Sequence, residues 1–554
     1  MRIAFLIVCL SVFKLANSQT QSWEWAKSAG RYTSHDKCNG MSTDAQGNSY
    51  ITGEFQDTII IGGTTLINPG GYNRMMYLAK FDVFGNALWA KIPGGLNGST
   101  GYGVSIDANG NFYITGSYKG DITFGTTTFS STGIDNFFIA KFDSSGNVLW
   151  AKNAVCNWSS IGRSISTDRD GNVYATGTFE DSLITFSTTT FQTVYSLVGS
   201  AVFLVKYDSQ GNVLWVRGAG GTQTDISNSV TSDDDGNAYI TGVYRNSIEF
   251  GSTTLTGSNN GAAAVFTVKY DAGGNVMWAK SSGGFPSSGY GKGISTDGNG
   301  NCYVTGYFNS PEIYFDNVTL NNAGIDDIFV LKYDSLGNIV WAKSAGGNNY
   351  DQGNAICADH NGNIFVTGSL KSPNASFGNI SIFGNNQEAF IVKYDPSGSA
   401  LWGMQSTGSL NELSNAISKD DYDNIYISGN FSSPSSNFGS NNLINSDQFY
   451  GSYDLFIAKL NHASTYIQEG SNNLYTYYLF PNPLTQQAIL QFKNPENKNF
   501  TFDLYDNQGK KAYTMKNITS NSIEIERTYL PAGLYFFQLY SGQQDVTGGK
   551  LLIE

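Results

Sequence analysis

Histidine is the scarcest reactive residue in this chain. There are three in 554 residues, His35, His360 and His462, and none has a partner at catalytic or metal-ligand spacing. Ser-His-Asp chemistry and zinc sites both need such a constellation, so the sequence assigns all three non-catalytic roles and offers no catalytic residue and no metal ligand. Cysteine is nearly as rare, with five. Cys302 and Cys357 fill recurrent small-residue slots and read as buried thiols; Cys38 and Cys156 fall in variable segments, and the sequence leaves a disulfide between them open. Charged residues make up only 14%, and 45 acidic against 32 basic side chains give a net charge of -13. That balance excludes a nucleic-acid partner, which requires clustered Lys and Arg. No stretch beyond the N-terminus approaches the roughly 18 apolar residues of a spanning helix, so no transmembrane segment is expected. A helical 3.6-residue pattern is missing throughout, while 64 glycines, 14% aromatics and abundant Ser, Thr and Asn describe an all-β protein.

What is present is a repeat. Trp25, Trp89, Trp150, Trp215, Trp278, Trp341 and Trp402 recur at intervals of about 63 residues, each in a phrase of the GNVLWAK type. Ahead of this array, Arg2, the apolar run Ala4 to Phe13 and the small residues Ala16 and Ser18 read as a secretory signal peptide over residues 1-18, with the mature chain starting near Gln19.

Each unit carries four strand-like segments. The first has small residues before an Asp, as in Gly103-Val104-Ser105 and Ala355-Ile356-Cys357. Small side chains at one place in seven units imply crowding, so this segment is expected to line a central channel. The second is of the Tyr113 to Gly116 type, the third of the Phe138 to Asp143 type, and the fourth holds the tryptophan. Asp-x-x-Gly-Asn turns such as Asp107 to Asn111 and Asp143 to Asn147 join strands one to two and three to four; the Asp caps the turn and the Gly takes positive φ. The other two connections are long, and one holds a secondary hairpin signal at Ile122 to Phe129. Strand alternation puts tight turns on one face and long loops on the other, where a binding site is expected. The last unit lacks a tryptophan strand and the chain begins with one, Trp23 to Lys27; pairing the two closes the ring and removes its exposed edges.

The repeated GN-x-Y-[IV]-TG and GN-x-x-WAK phrases over residues 23 to 460 resemble the bacterial β-propeller repeat family abbreviated SBBP. The resemblance implies a seven-bladed binding or scaffold propeller over 19-460 and brings no catalytic residues. After a polar linker at 461-474, residues 475-554 form a different β domain, expected to be a small immunoglobulin-like sandwich. Pro481-Asn482-Pro483, Asp506 with Gly509, Leu530 to Phe537 and the terminal Lys550-Leu551-Leu552-Ile553 resemble the type A C-terminal sorting domain of the type IX secretion system of Bacteroidetes. That resemblance implies export by the type IX machinery, with the domain removed or exchanged for a lipid anchor, and a secreted or outer-membrane surface location.

The turns Asp168 to Asn172 and Asp233 to Asn237 begin like calcium loops but lack the distal Glu, so the hairpin reading is preferred over calcium and no cofactor is expected. The Asp-x-x-Gly-Asn-x-x-Trp phrase is also similar to the Asp-box of sialidase propellers, with different spacing and no arginine cluster. A lysine recurs in every third strand (Lys80, Lys141, Lys206, Lys269, Lys332, Lys393, Lys459), which argues for a structural pairing, with the Asp two positions later proposed as partner. Functional residues should instead break the repeat. Where four units carry Asn39, Asn228, Asn354 and Asn415, the others carry Tyr102, Arg163 and Lys292, and Trp158, Tyr290 and Tyr350 stand in adjoining loops. Aromatic rings beside hydrogen-bonding groups suit a glycan or protein ligand. The expectation is a non-enzymatic ligand-binding surface protein; a glycan-active hydrolase or lyase with carboxylates in the funnel, or a purely structural surface component, are the alternatives.

Overall fold

The computed structural model describes residues 21–461 and 477–553 apart from short segments at 32–34, 72, 95–97, 132, 194–198, 258–260, 284–287, 385, 448–450, 481–483, 485, 493, 495–497, 507–509, 528–529 and 542–543. The expected signal peptide, nearly all of the expected linker, Pro481-Asn482-Pro483 and Gly509 lie outside the described residues. Two compact units separate at Asn461, one of them Trp23–Asn461.

Among the described residues of that unit, seven four-stranded antiparallel units succeed one another, each in the order first, second, third, fourth strand. In the first these are Lys37–Thr43, Ser49–Phe55, Met75–Phe81 and Ala87–Lys91. The seventh takes Glu412–Lys419, Ile425–Phe431 and Asp454–Leu460 from the C-terminal side and Trp23–Ala29 from the N-terminal side, with Trp25 opposite Lys459 and Ala29 opposite Leu455. First strands of successive units pack on one another, and that of the seventh packs on that of the first. The small residues of these strands answer to that packing: a Cβ on Gly40 would come 2.7 Å from the Tyr102 carbonyl oxygen, and one on Gly293 would come 2.9 Å from the Ala355 Cα.

Five of the units grip the next at the outer edge through the indole of the fourth strand. The Trp25 indole N–H donates to the Val83 carbonyl at 2.9 Å, Trp150 to Ser209 at 3.1 Å, Trp215 to Ala272 at 3.0 Å and Trp341 to Pro396 at 3.0 Å. The acceptors sit in the second tight turn of the following unit. There the turn glycine lies flat on the indole: Gly85 has φ +77°, and a Cβ on it would meet the Trp25 ring at 2.8 Å. Positive φ and close approach both select glycine. The Asp of these turns accepts from its own loop, Asp143 from the Ser145 and Asn147 backbone N–H groups at 2.9 Å each.

The long connection between second and third strands is a hairpin in every unit, from Thr58–Ile61 with Thr64–Ile67 to Ser435–Phe438 with Asn441–Ile444. It reaches back over the preceding unit, as in the pairing of Val155 with Thr185 and of Ser282 with Phe315. A buried Phe at its tip strand packs on a third-strand Phe, with ring centroids 5.1 Å apart for Phe124 and Phe138 and 5.2 Å for Phe186 and Phe203. The long-loop face is therefore partly a belt of straps.

The recurrent lysines find another partner than the one expected. Lys141 Nζ lies 3.2 Å from Asp107 and Lys206 Nζ 3.6 Å from Asp168, the carboxylates that open the first tight turn, and each ammonium also stands 4.8 Å over a second-strand tyrosine ring, Tyr113 or Tyr174. The Asp two positions on is taken up by its own turn.

The C-terminal described residues form a three-stranded sheet (Tyr477–Phe480, Gln487–Phe492, Ser522–Glu526) and a four-stranded one (Lys511–Ile518, Phe500–Tyr505, Gly533–Ser541, Gln544–Ile553). Leu490, Phe492 and Ile523 of the one share a core with Phe502, Leu504 and Phe537 of the other.

Candidate functional site

All seven residues at the position that breaks the repeat are β-bulges. Register slips by one between Cys38 and Gly40, Gly101 and Gly103, Gly162 and Ser164, Ser227 and Ser229, Gly291 and Gly293, Gly353 and Ala355, and Ser414 and Ala416. The extra residue left unpaired in the innermost strand is Asn39, Tyr102, Arg163, Asn228, Lys292, Asn354 or Asn415. A bulge re-aims a side chain, and here it turns a residue out of the ladder on the strand nearest the axis.

Where the bulge residue is Asn, it binds the neighbouring unit. Asn39 Nδ2 donates to the Gly101 carbonyl at 3.0 Å, Asn228 to Gly291 at 2.7 Å, Asn354 to Ser414 at 3.0 Å, and Asn415 to Cys38 at 3.0 Å. The acceptor is always the residue just before the next unit's bulge. Four of the seven junctions are strapped in this way, and the three that follow Tyr102, Arg163 and Lys292 are not.

Arg163 and Lys292 belong to the third and fifth units, with the fourth between them; burial, with the Arg163 charge adding to it, holds the Lys292 ammonium below its ordinary range. Burial likewise lowers Arg163 and raises the Tyr102 phenol, whose titration feels Glu54 and then Arg163. Arg163 Nε is shielded from solvent and has no hydrogen-bond partner. Lys292 Nζ lies 5.5 Å over the Tyr307 ring, which stacks on Tyr290 at 4.8 Å with planes 18° apart. Tyr102 also borders a cavity of about 450 Å³ on the long-loop side, with Gln56, Arg74, Thr100, Asp135 and Ile161.

Trp158 and Tyr350 stand apart, 63% and 42% exposed. The Trp158 carbonyl accepts from the Ile134 N–H, and Lys371 Nζ lies 5.5 Å over the Tyr350 ring. The six expected residues thus divide into Lys292 and Tyr290, linked through the Tyr307 ring, the separate bulge residues Tyr102 and Arg163, and two outer aromatics.

Carboxylates of the same face are engaged in the framework. Glu54 accepts from Thr100 Oγ1 at 2.7 Å and pairs with Arg74 at 3.5 Å; Gln352 Nε2 donates to Asp326 at 2.6 Å. Burial raises Glu388 and Glu412, which face each other between the sixth and seventh units. Cys38 and Cys156 are buried thiols not bridged to each other, Cys38 lying 3.2 Å from Ser428 Oγ. No group of three or more metal-ligating side chains occurs among the described residues. Both oxygens of Asp168 and Asp233 accept from their own turns or from the Tyr174 and Tyr239 hydroxyls. The sequence reading missed a second cavity of about 470 Å³ among the tight turns, bordered by Asp233, Asp235, Asp297, Asp359, His360 and Lys419. Its only signal was the surplus of acids at Asp233-Asp234-Asp235.

Repeated four-stranded units with their first strands in mutual contact and a seventh unit shared by both ends define a β-propeller. The comparisons agree: residues 340–369 match the family described as "Beta-propeller repeat", and residues 478–554 match "Secretion system C-terminal sorting domain". The chain is therefore a β-propeller protein with a type IX sorting domain, delivered to the cell surface or the medium. Among curated proteins it is similar to "Uncharacterized WD repeat-containing protein L264" of Acanthamoeba polyphaga mimivirus, 28% identical over 63% of this chain and 31% of that protein. It is also similar to "Regulatory protein FlaEY" of Caulobacter vibrioides, 28% identical over 27% of this chain and 16% of that protein. The chain spans less than a third of the length of either. Solved structures with likeness include Sqt1 from Chaetomium thermophilum (7% identity, 74% of this chain and 96% of that one, TM-score 0.31). Another is a member of the duf4221 family from Bacteroides vulgatus (10% identity, 80% and 98%, TM-score 0.30). Likeness at that level carries no functional argument.

Proposed function

We propose that this protein is a closed seven-bladed propeller followed by an immunoglobulin-like sorting sandwich, and that it acts at the surface as a non-enzymatic receptor for a glycan or protein ligand. One observation carries the reading: at the bulge of the first strand, three units depart from the Asn that straps the other four to their neighbours. Regular positions are consumed by packing, turn capping and straps, so specificity resides in irregular ones. Tyr102, Arg163 and Lys292 forgo a junction hydrogen bond that Asn supplies elsewhere, and residues that forgo stability are characteristic of functional sites.

The test is a glycan and surface-protein binding screen with the full chain, run beside the Tyr102→Ala, Arg163→Ala, Lys292→Ala triple variant and with glycosidase assays on the same panel. A ligand bound by the parent and lost by a still folded triple variant supports the reading. Turnover of any glycan, or binding untouched by the triple change, counts against it.

A further inference from the structure

We propose that the long-loop face carries a groove, running along the ring from the seventh unit over the first to the third, that binds an acidic polysaccharide. This deepens the receptor reading and rests on it.

One main-chain bond recurs where a unit meets the next. The carbonyl just before a third strand accepts from an N–H at the start of the following unit's first strand: the Asp36 N–H donates to Tyr453 at 2.7 Å, that of Ser99 to Arg74 at 2.9 Å and that of Ser160 to Asp135 at 2.8 Å. Ser200, Asp326 and Gln387 accept in the same way at other junctions. The bond uses the backbone alone, so the side chain is free to vary, and Tyr, Arg and Asp follow one another at three successive junctions. All three border cavities. One of about 170 Å³ lies among His35, Lys37, Glu54, Gln56, Arg74 and Tyr453. The cavity of about 450 Å³ beside Tyr102 takes in Gln56, Arg74 and Asp135. Gln56 and Arg74 border both, so the two cavities adjoin and follow the line of junctions. At the far end the Ile134 N–H donates to the Trp158 carbonyl at 2.6 Å, which ties the exposed Trp158 to the residue preceding Asp135.

Charge points to the occupant. In a chain of net charge -13, this lining sets three cations, Lys37, Arg74 and Lys119, against two carboxylates, Glu54 and Asp135. Glu54 is shared by Lys37 at 3.9 Å and Arg74 at 3.5 Å, and Lys119 lies 3.9 Å from Asp135. The Arg74 and Lys119 side chains are 59% and 56% exposed, that of Glu54 only 7%. Positive ends therefore stand at the surface with the negative ends beneath, and an arriving anion meets the cations first. A guanidinium suits a carboxylate or a sulfate through two parallel bonds. The Tyr102 and Tyr453 rings beside the Gln56 and Asn73 amides suit sugar rings. A peptide held by its side chains needs apolar pockets, and among the described residues lining either cavity Ile161 is the one aliphatic side chain.

Calorimetric titration of the full chain tests the groove with hexamers of galacturonate, of sulfated galactose, of neutral galactose and of glutamate, and with the galacturonate dimer. At least one acidic sugar hexamer should bind, the tighter of the two assigning the groove to carboxylates or to sulfates, and added salt should weaken it. The galacturonate hexamer should bind about tenfold or more tighter than the dimer, because its linked residues reach both cavities at once. Arg74→Gln and the exposed Lys119→Gln should each reduce affinity by about tenfold or more, the usual worth of a charged hydrogen bond. Lys343→Gln, equally a loss of one exposed cation but on the outer strand Ile339–Ala345, should leave affinity unchanged. Binding by neither acidic sugar hexamer, equal binding by the neutral or the glutamate hexamer, or a dimer as tight as its hexamer overturns the proposal. Affinity unchanged in both Arg74→Gln and Lys119→Gln, or lost equally in Lys343→Gln, overturns it as well. A ligand from the screen that both groove variants bind like the parent, and that the triple variant loses, overturns the groove and leaves the receptor reading intact.

Discussion

Trp25 is the side chain on which closure of the ring is expected to depend, because it joins the first and last units where no covalent link does. It is 7% exposed, its ring lies on Gly85 of the first unit and near Tyr426 of the seventh, and its N–H donates to Val83 O. A buried Trp hides roughly 200 Å², worth about 5 kcal/mol at ~25 cal/mol per Å². Truncation to Ala is expected to cost about 3–5 kcal/mol, a large share of the ~5–15 kcal/mol of a folded domain. Trp341→Ala is the control. Trp341 makes the same contacts, donating to Pro396 O over Gly398, with 9% exposure, but its two units are consecutive in the chain. Both variants should melt earlier in urea. Only Trp25→Ala should also free the strand Trp23–Ala29, so that limited proteolysis removes the N-terminal segment and hydrogen exchange rises along Asp454–Leu460. Deleting residues 19 to 28 should give the extreme of that behaviour, with an exposed edge and aggregation. Equal protease resistance of the two variants, or a deletion that melts like the parent, would refute closure by this strand.

Three further outcomes are expected. Burial pushes Asp225 and Asp327 up to about 7 and Asp454 to about 6, so the folded protein holds protons that the unfolded chain has lost. Stability should therefore fall as pH rises from about 4 to 7, and Asp327→Asn should flatten the profile, since Asp327 Oδ1 is buried without a partner; a melting temperature that rises over this range contradicts the assignment. At the bulges, Asn228→Ala should cost about 1 kcal/mol and Arg163→Asn should gain about as much, by removing or adding one junction hydrogen bond, as urea denaturation would record; no change in either sense would deny the straps their role. Removing residues 475 to 554 should leave a folded propeller in the periplasm of a type IX host, and normal surface delivery of that chain, followed by cell fractionation, would contradict the role of the sorting domain.

Sequence alone determined the repeat, the strand order within it, the tight turns and the pairing of the two ends, because each is written in local periodicity or in a composition that one backbone geometry demands. A small residue at the same place in each of seven first strands told of crowding before any contact was visible, and the sorting domain was legible from its landmarks. The irregular position was also legible, since Tyr102, Arg163 and Lys292 stand where Asn is the rule. What it meant was not. That the position is a bulge depends on register against a second strand, and that Asn39 reaches Gly101 depends on the next unit. The lysine pairing went astray for the same reason: proximity along the strand suggested the Asp two residues on, whereas antiparallel pairing carries the ammonium to the turn that opens the second strand. Local spacing is fixed by bond geometry and can be read from letters; a bond from one unit to the next is fixed by how the units pack, and only the folded chain contains it.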